Sequence, residues 1–133
     1  VDLGAGYGRL GLVLGQQAPQ AHFLGYELVG ERVENGNEVF ERLELQNAQL
    51  IEQNIIAPEF EVESADIFFI YDFGQKEHIN QLLKSLDDLA NENEFKIVAR
   101  GRGVRSLIQH RYPRFCHAVD PLHFETYSLY STP

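Results

Sequence analysis

The sequence is poor in cysteine, in long apolar runs and in positive charge. Cys116 is the single cysteine among 133 residues. No disulfide can close within the chain, and no cysteine-built metal cluster can form. A cytoplasmic location fits that usage. The longest apolar stretches, such as Ile67–Ile70, fall far short of the ~20 residues that span a bilayer, so no membrane partner is expected. No signal peptide is visible. The first residue is Val rather than Met, and it stands inside what reads as a strand. The expectation is a missing N-terminus, and any targeting information would go with it. A net charge of −9 disfavours nonspecific nucleic-acid binding. Internal repeats, low-complexity tracts and linkers are absent. His110, His117 and His123 are scattered without metal-ligand spacing, so structural roles and no metal are expected. Nothing in the pattern speaks to oligomeric state.

What is present reads as one globular domain over 1–133. Apolar residues make up 44% and aromatics 11%, which argues against disorder. Charge is uneven. Residues 100–114 hold Arg100, Arg102, Arg105, Arg111 and Arg114 and no acid. That segment reads as a solvated loop and short helix, or as a patch for an anionic substrate or partner.

Strand and helix patterns alternate. Val1–Leu3 reads as the end of a buried strand, followed by a helix that Pro19 closes. His22–Glu27 fits a second strand, and residues 30–46 an amphipathic helix that Gly36 weakens. Gln49–Glu52 is a candidate third strand, and 55–65 a loop. Asp66–Tyr71 is the clearest strand, apolar on both faces as a central parallel strand should be. Gln75–Ala90 has leucines at helical spacing. Phe95–Ala99 reads as a strand and Val104–His110 as a short helix. Phe115–Val119 and Phe124–Tyr130 read as two strands joined tightly by Asp120–His123, hence antiparallel neighbours. The expected class is α/β, a mostly parallel sheet with helices on both faces and an antiparallel C-terminal strand.

The opening stretch V-D-L-G-A-G-Y-G-R-L-G carries two overlapping frames. Gly6, Gly8 and Gly11 satisfy G-x-G-x-x-G, the dinucleotide pattern. Asp2, Gly4, Gly6 and Gly8 satisfy D-x-G-x-G-x-G. Glycines after a first strand let backbone approach a ligand, and the next helix offers free N–H groups. Glu27, at the end of the second strand, suits ribose hydroxyls in either frame. Register separates the two. The dinucleotide frame begins about two residues late, after Gly4-Ala5 has left the strand. Asp2 in the other frame cannot favour a pyrophosphate, but it can orient the loop or meet an ammonium group.

V-D-L-G-A-G-Y-G, then G-Y-E, then A-D-I-F-F-I-Y-D-F resembles class I S-adenosylmethionine-dependent methyltransferases, a Rossmann-like family, over nearly the whole chain. The resemblance implies S-adenosylmethionine as cofactor. It implies that Asp2, Gly4, Ala5, Gly6, Tyr7 and Gly8 shape the loop around the methionine part. Glu27 would hold the ribose and Leu28 would pack by the adenine. Asn54 stands where the family often has an Asp that contacts the adenine amino group, and its side-chain oxygen can still accept. The helices that usually precede the first strand are absent. Tyr71 would also touch the cofactor, and the acceptor would lie beyond the fourth strand, with Tyr71 or Phe73 walling the pocket. Asp72 would orient or deprotonate an amine, although it also reads as a cap for the helix after it. The [N/D]-P-P-[Y/F] signature and the Pro-Cys nucleophile are both missing. Cys116 lies too late and reads as a buried packing residue. The combined segments are similar to non-SET protein lysine methyltransferases, which leans toward a protein amine as methyl acceptor. A noncatalytic methyltransferase-like binding module and a nicotinamide-dependent oxidoreductase are the other readings.

Overall fold

Val1–Ile55 folds as the first of two units, Ile56–Pro133 as the second. The computed structural model describes residues 1–117 and 119–132. In the first unit β1 (Asp2–Leu3) leads through the glycine turn into α1 (Arg9–Gln17). β2 (Phe23–Glu27), α2 (Gly30–Arg42) and β3 (Ala48–Glu52) follow. The three strands are parallel, with Asp2 opposite Gly25, Leu3 opposite Tyr26, and Glu27 opposite Glu52. Their core is Phe23, Val33, Phe40 and Leu50, with Leu10, Leu12, Leu14 and Leu45 packed against it. Phe23 meets Phe40 edge to face, centroids 6.3 Å apart.

Gly36 does not break α2. A Cβ there would come within 2.8 Å of the Tyr7 carbonyl oxygen, so the bare backbone lets the helix lie against the glycine turn. One residue on, the Asn37 side chain pairs with both backbone groups of Leu50. Its Nδ2 donates to the carbonyl at 2.9 Å, and its Oδ1 accepts from the N–H at 2.8 Å. That amide extends the ladder of β3 with a side chain. The helix ends at Arg42, short of the expected 46, where Glu44 adopts a left-handed φ of 55°.

The second unit holds β4 (Ile67–Tyr71), α3 (Lys76–Leu89), β5 (Lys96–Arg100), α4 (Arg102–Arg111), α5 (Arg114–His117), β6 (Leu122–His123) and β7 (Tyr127–Ser131). β4 and β5 are parallel, while β7 runs antiparallel to both β5 and β6. β4 buries Phe68 and Ile70 and leaves Ile67 and Tyr71 exposed. α3 packs Ile79, Leu82, Leu83 and Leu86 inward. Phe68, Phe95, Phe115 and Tyr112 form a chain of ring contacts, Phe68 and Phe95 at 5.0 Å.

The C-terminal pattern resolves differently from its sequence reading. Residues 114–117 form the single turn α5 in place of a strand over Phe115–Val119, and Ala118 of that stretch lies outside the described residues. Pro113 lacks an N–H, so it suits the turn's start, and its carbonyl accepts from Cys116 at 2.9 Å. That turn drives Phe115 fully into the core. Leu122 and His123, expected in the connection, are β6. The link to β7 is a turn closed by Phe124 N–H on the Tyr127 carbonyl at 2.9 Å. The two units together carry the seven strands of a mixed, mostly parallel Rossmann-like α/β fold with an antiparallel C-terminal end.

Candidate functional site

β1 stops at Leu3 because the next residues need left-handed backbone. Gly4, Gly6 and Gly8 have φ of 95°, 58° and 74°, which side chains rarely tolerate. The turn is tied to the end of β2. Gly4 and Ala5 N–H donate to the Tyr26 carbonyl at 3.0 and 2.9 Å, and Gly6 N–H donates to Glu27 Oε2 at 2.8 Å. Glu27 Oε1 accepts from Val29 N–H at 3.1 Å and from Arg32 Nη1 at 3.4 Å. Glu27 is only 6% exposed. Of the about four acceptor positions of a carboxylate, three are engaged, and one on Oε2 remains. The amides of Tyr7, Arg9 and Leu10 have no acceptor among the described residues. A Cβ added at Gly4 or Gly6 would enter open space. The turn thus presents donors and bare backbone outward, beside an anchored acid.

Asp2 sits on β1, partly buried. Burial pushes its carboxyl up from the ordinary 3.8 to about 6, and the Glu27 charge adds to it. Such a group ionises readily once a cation arrives. Leu28 is 63% exposed. Gln53 N–H donates to the Glu27 carbonyl at 2.9 Å, which sets Asn54, exposed, just past the end of β2. Gly11 lies inside α1 and is buried. A Cβ there would strike Phe23 and Phe40, so this glycine serves packing. Two contributors escape the sequence reading: Arg32 on Glu27, with its guanidinium also 5.8 Å from the Tyr7 ring centre, and Gly36 beneath the turn. A basic residue in the first turns of the helix after a strand-end acid is the only signal Arg32 leaves.

Tyr71 and Asp72 belong to the second unit, at the carboxyl end of β4. The Arg100 guanidinium lies 4.9 Å above the Tyr71 ring. Asp72 caps a helix, but not the one expected. Its Oδ2 accepts from Gly103 N–H at 2.8 Å and its Oδ1 from Val104 N–H at 2.7 Å, so it closes the start of α4. α3 begins instead with Gln75 N–H on His78 Nδ1 at 3.5 Å. Gly101, with φ of 101°, and Gly103 leave room for that carboxylate; a Cβ at Gly103 would lie 3.0 Å from Oδ1.

Most of the arginine-rich segment holds structure together. Arg105 donates to the Phe124 and Glu125 carbonyls, each at 3.3 Å. Arg111 donates to Asn80 Oδ1. Arg114 donates to the Asp87 carbonyl and Asn91 Oδ1, and pairs with the Asp87 carboxylate at 3.7 Å. Cys116 is partly rather than fully buried, and burial raises its thiol pKa. His110 and His123 bond to the Ser106 carbonyl and the Ser128 hydroxyl through Nδ1. Among the described residues no helix is long and apolar enough to cross a membrane.

A Rossmann-like α/β fold with a glycine turn bonded to a strand-end acid defines the structural class. The family model described as "Putative methyltransferase" matches residues 1–70, and the chain belongs to that methyltransferase family. No curated protein sequence matches. An RNA methyltransferase from Salinibacter ruber, crystallised with S-adenosyl-L-homocysteine, superposes with a TM-score of 0.65 at 16% identity, over 98% of this chain and 76% of its own. PKMT2 from Rickettsia typhi, in complex with AdoHcy, gives a TM-score of 0.61 at 20% identity, over 74% and 20%. Coclaurine N-methyltransferase, bound to N-methylheliamine and SAH, gives 0.63 at 18%, over 74% and 29%. The chain spans 35% of the StiE O-methyltransferase structures it matches and 33% of the Brevibacillus brevis O-methyltransferase. These likenesses show the fold.

Proposed function

We propose that this chain binds S-adenosylmethionine in its first unit and serves methyl transfer to an acceptor. The observation that carries this reading is the Gly6 N–H bond to Glu27 Oε2 at 2.8 Å, which welds the turn to the strand-end acid. Neighbours of the same fold crystallised with S-adenosylhomocysteine support it. The residues fit the cofactor on their own chemistry. The acceptor position left on Glu27 suits a ribose hydroxyl, and Leu28 offers an apolar surface beside it. The unpaired amides of Tyr7, Arg9 and Leu10 suit a carboxylate. Asp2, its carboxyl raised to about 6 and mostly ionised at neutral pH, suits an ammonium. Asn54 provides an amide for the base, and Tyr71 is a wall residue of the second unit.

When bound, the cofactor supplies an electrophilic methyl on a cationic sulfur. The protein's part is positioning and exclusion of water. A base is required only where the acceptor is protonated. Asp72, the base that a protein-amine acceptor would use, has both oxygens engaged by α4 amides. We therefore assign Asp72 the role of a positioning residue.

Calorimetry of the intact protein with S-adenosylhomocysteine and with NADH tests the cofactor. Binding of S-adenosylhomocysteine is expected. Binding of NADH alone would favour the oxidoreductase reading and sink this one. Glu27→Gln should weaken S-adenosylhomocysteine by about 10–100-fold, since hydrogen bonds to a charged group contribute roughly 1.5–3 kcal/mol each. Undiminished affinity in that variant refutes the ribose assignment.

A further inference from the structure

The register of the second unit lines up three side chains. Tyr71 is the partner of Arg100 across β4 and β5, and Arg100 is the partner of Tyr127 across β5 and β7. Directly opposed residues point to one face of a sheet. Tyr71 and Arg100 end parallel strands and Tyr127 begins an antiparallel one, so the row marks the edge where α/β sheets take ligands. Tyr71 is 51% exposed, Tyr127 37% and Phe124 46%. Phe124 stacks on Tyr127, centroids 4.5 Å apart and planes within 16°. Arg105 holds the carbonyls of Phe124 and Glu125, and Gly101 N–H reaches the Thr126 carbonyl at 3.4 Å, so the aromatic pair is anchored.

The Arg100 guanidinium has one face on Tyr71 and makes no hydrogen bond or ion pair among the described residues. Its in-plane N–H groups are open to an acceptor. Arg102, also exposed and without a carboxylate partner, stands two residues on. Of the acids at this end, Asp72 is engaged by backbone amides, and Glu125 sits exposed at the hairpin tip. A guanidinium on one tyrosine ring, with a second tyrosine in register beside it, suits one ligand chemistry: a flat aromatic ring that carries an anionic group. The ring stacks, and the anion takes the fork of N–H donors.

We infer that Tyr71, Arg100 and Tyr127, extended by Phe124, bind a planar aromatic anion. Aromatic carboxylates and nucleotides share this chemistry, and two probes separate them: salicylate and adenosine 5′-monophosphate. Titrations of the intact protein are followed by amide and arginine Nε–H NMR, with cyclohexanecarboxylate and inorganic phosphate as the non-aromatic anions. Saturable binding of at least one aromatic probe is expected, with the Arg100 Nε–H among the shifted signals. Which probe binds names the source. Arg100→Gln should weaken it about tenfold or more, and Tyr127→Leu about fivefold. Arg100→Lys, which keeps charge but not the fork, should fall between wild type and Arg100→Gln. Failure of both aromatic probes, equal binding of the non-aromatic anions, or an undiminished Arg100→Gln variant overturns the inference. Far-UV circular dichroism on the same samples reports folding, and S-adenosylhomocysteine calorimetry keeps the two readings apart. If it binds and the aromatic anions do not, this inference falls alone. If the aromatic anions bind and it does not, the methyltransferase reading falls alone.

Discussion

Replacing Asp2 by Asn should stabilise this protein at neutral pH and impair its cofactor binding at once. The folded state raises the Asp2 carboxyl from 3.8 to about 6, chiefly through burial. A gap of about two pH units, at about 1.4 kcal/mol per unit, bounds the charged form's cost at ~3 kcal/mol. Residual solvent contact lowers that, so about 1–3 kcal/mol is the working range. The sign follows from proton counting. Between pH 4 and 6 the folded chain holds a proton that the unfolded chain has released, so stability falls as pH rises through this window. Above about pH 6 the full penalty is present, and below about pH 4 it is gone.

Asp2→Asn has no proton to lose. It should exceed wild type by about 1–3 kcal/mol in urea unfolding at pH 7.5 and match it near pH 4. Cofactor affinity should move oppositely, because the ammonium loses its partner. A charge-assisted hydrogen bond contributes roughly 1.5–3 kcal/mol, so a weakening of at least about tenfold is expected by calorimetry at pH 7.5. In wild type, S-adenosylhomocysteine should bind about tenfold more weakly at pH 5 than at pH 7.5, since the carboxyl must first lose its proton. An Asp2→Asn variant less stable than wild type at pH 7.5 would refute the burial argument. Wild-type affinity flat from pH 5 to 7.5 would refute the ammonium pairing.

Gly36→Ala should destabilise the first unit by about 1–3 kcal/mol in urea unfolding, because its Cβ would press on the Tyr7 carbonyl and Leu50. It should also weaken S-adenosylhomocysteine, since the displaced atoms belong to the glycine turn. Asn37→Ala removes two hydrogen bonds to Leu50 and should cost about 1–3 kcal/mol, read as faster amide exchange along β3. Asp72→Ala should loosen the first turn of α4, with faster exchange at Gly103 and Val104 and a loss of about 1–2 kcal/mol. If exchange at those amides is unchanged, the cap assignment is wrong.

The parts of this chain that sequence reading reached share a cause: each writes its requirement into its own residues. Left-handed backbone at positions 4, 6 and 8 demands glycine, and that demand is visible as spacing. A strand end followed by a helix places Glu27 beside the turn by connectivity alone. Arg32, Asn37 and Gly36 act across α2 onto other elements, and nothing local distinguishes them from surface residues on an amphipathic helix. The stretch 115–119 failed for another reason. Apolar residues at 115 and 119 fit alternation and a helical turn alike over so short a span, and Pro113 tips the choice toward the turn.

Asp72 shows most clearly where local reading stops. Its sequence neighbourhood, four residues before α3, reads locally as a cap for that helix. The carboxylate instead reaches a helix about thirty residues later, because Gly101 and Gly103 present amides with no Cβ in the way. A carboxylate near two helix starts goes to the one whose amides it can approach closely, and that is fixed by what the distant residues lack. The same engagement bears on chemistry. An acid whose two oxygens each accept a backbone N–H is held in one direction, which suits a positioning role. The direction of the Asp72 carboxylate therefore turns on two glycines at the start of α4 as much as on the acid itself.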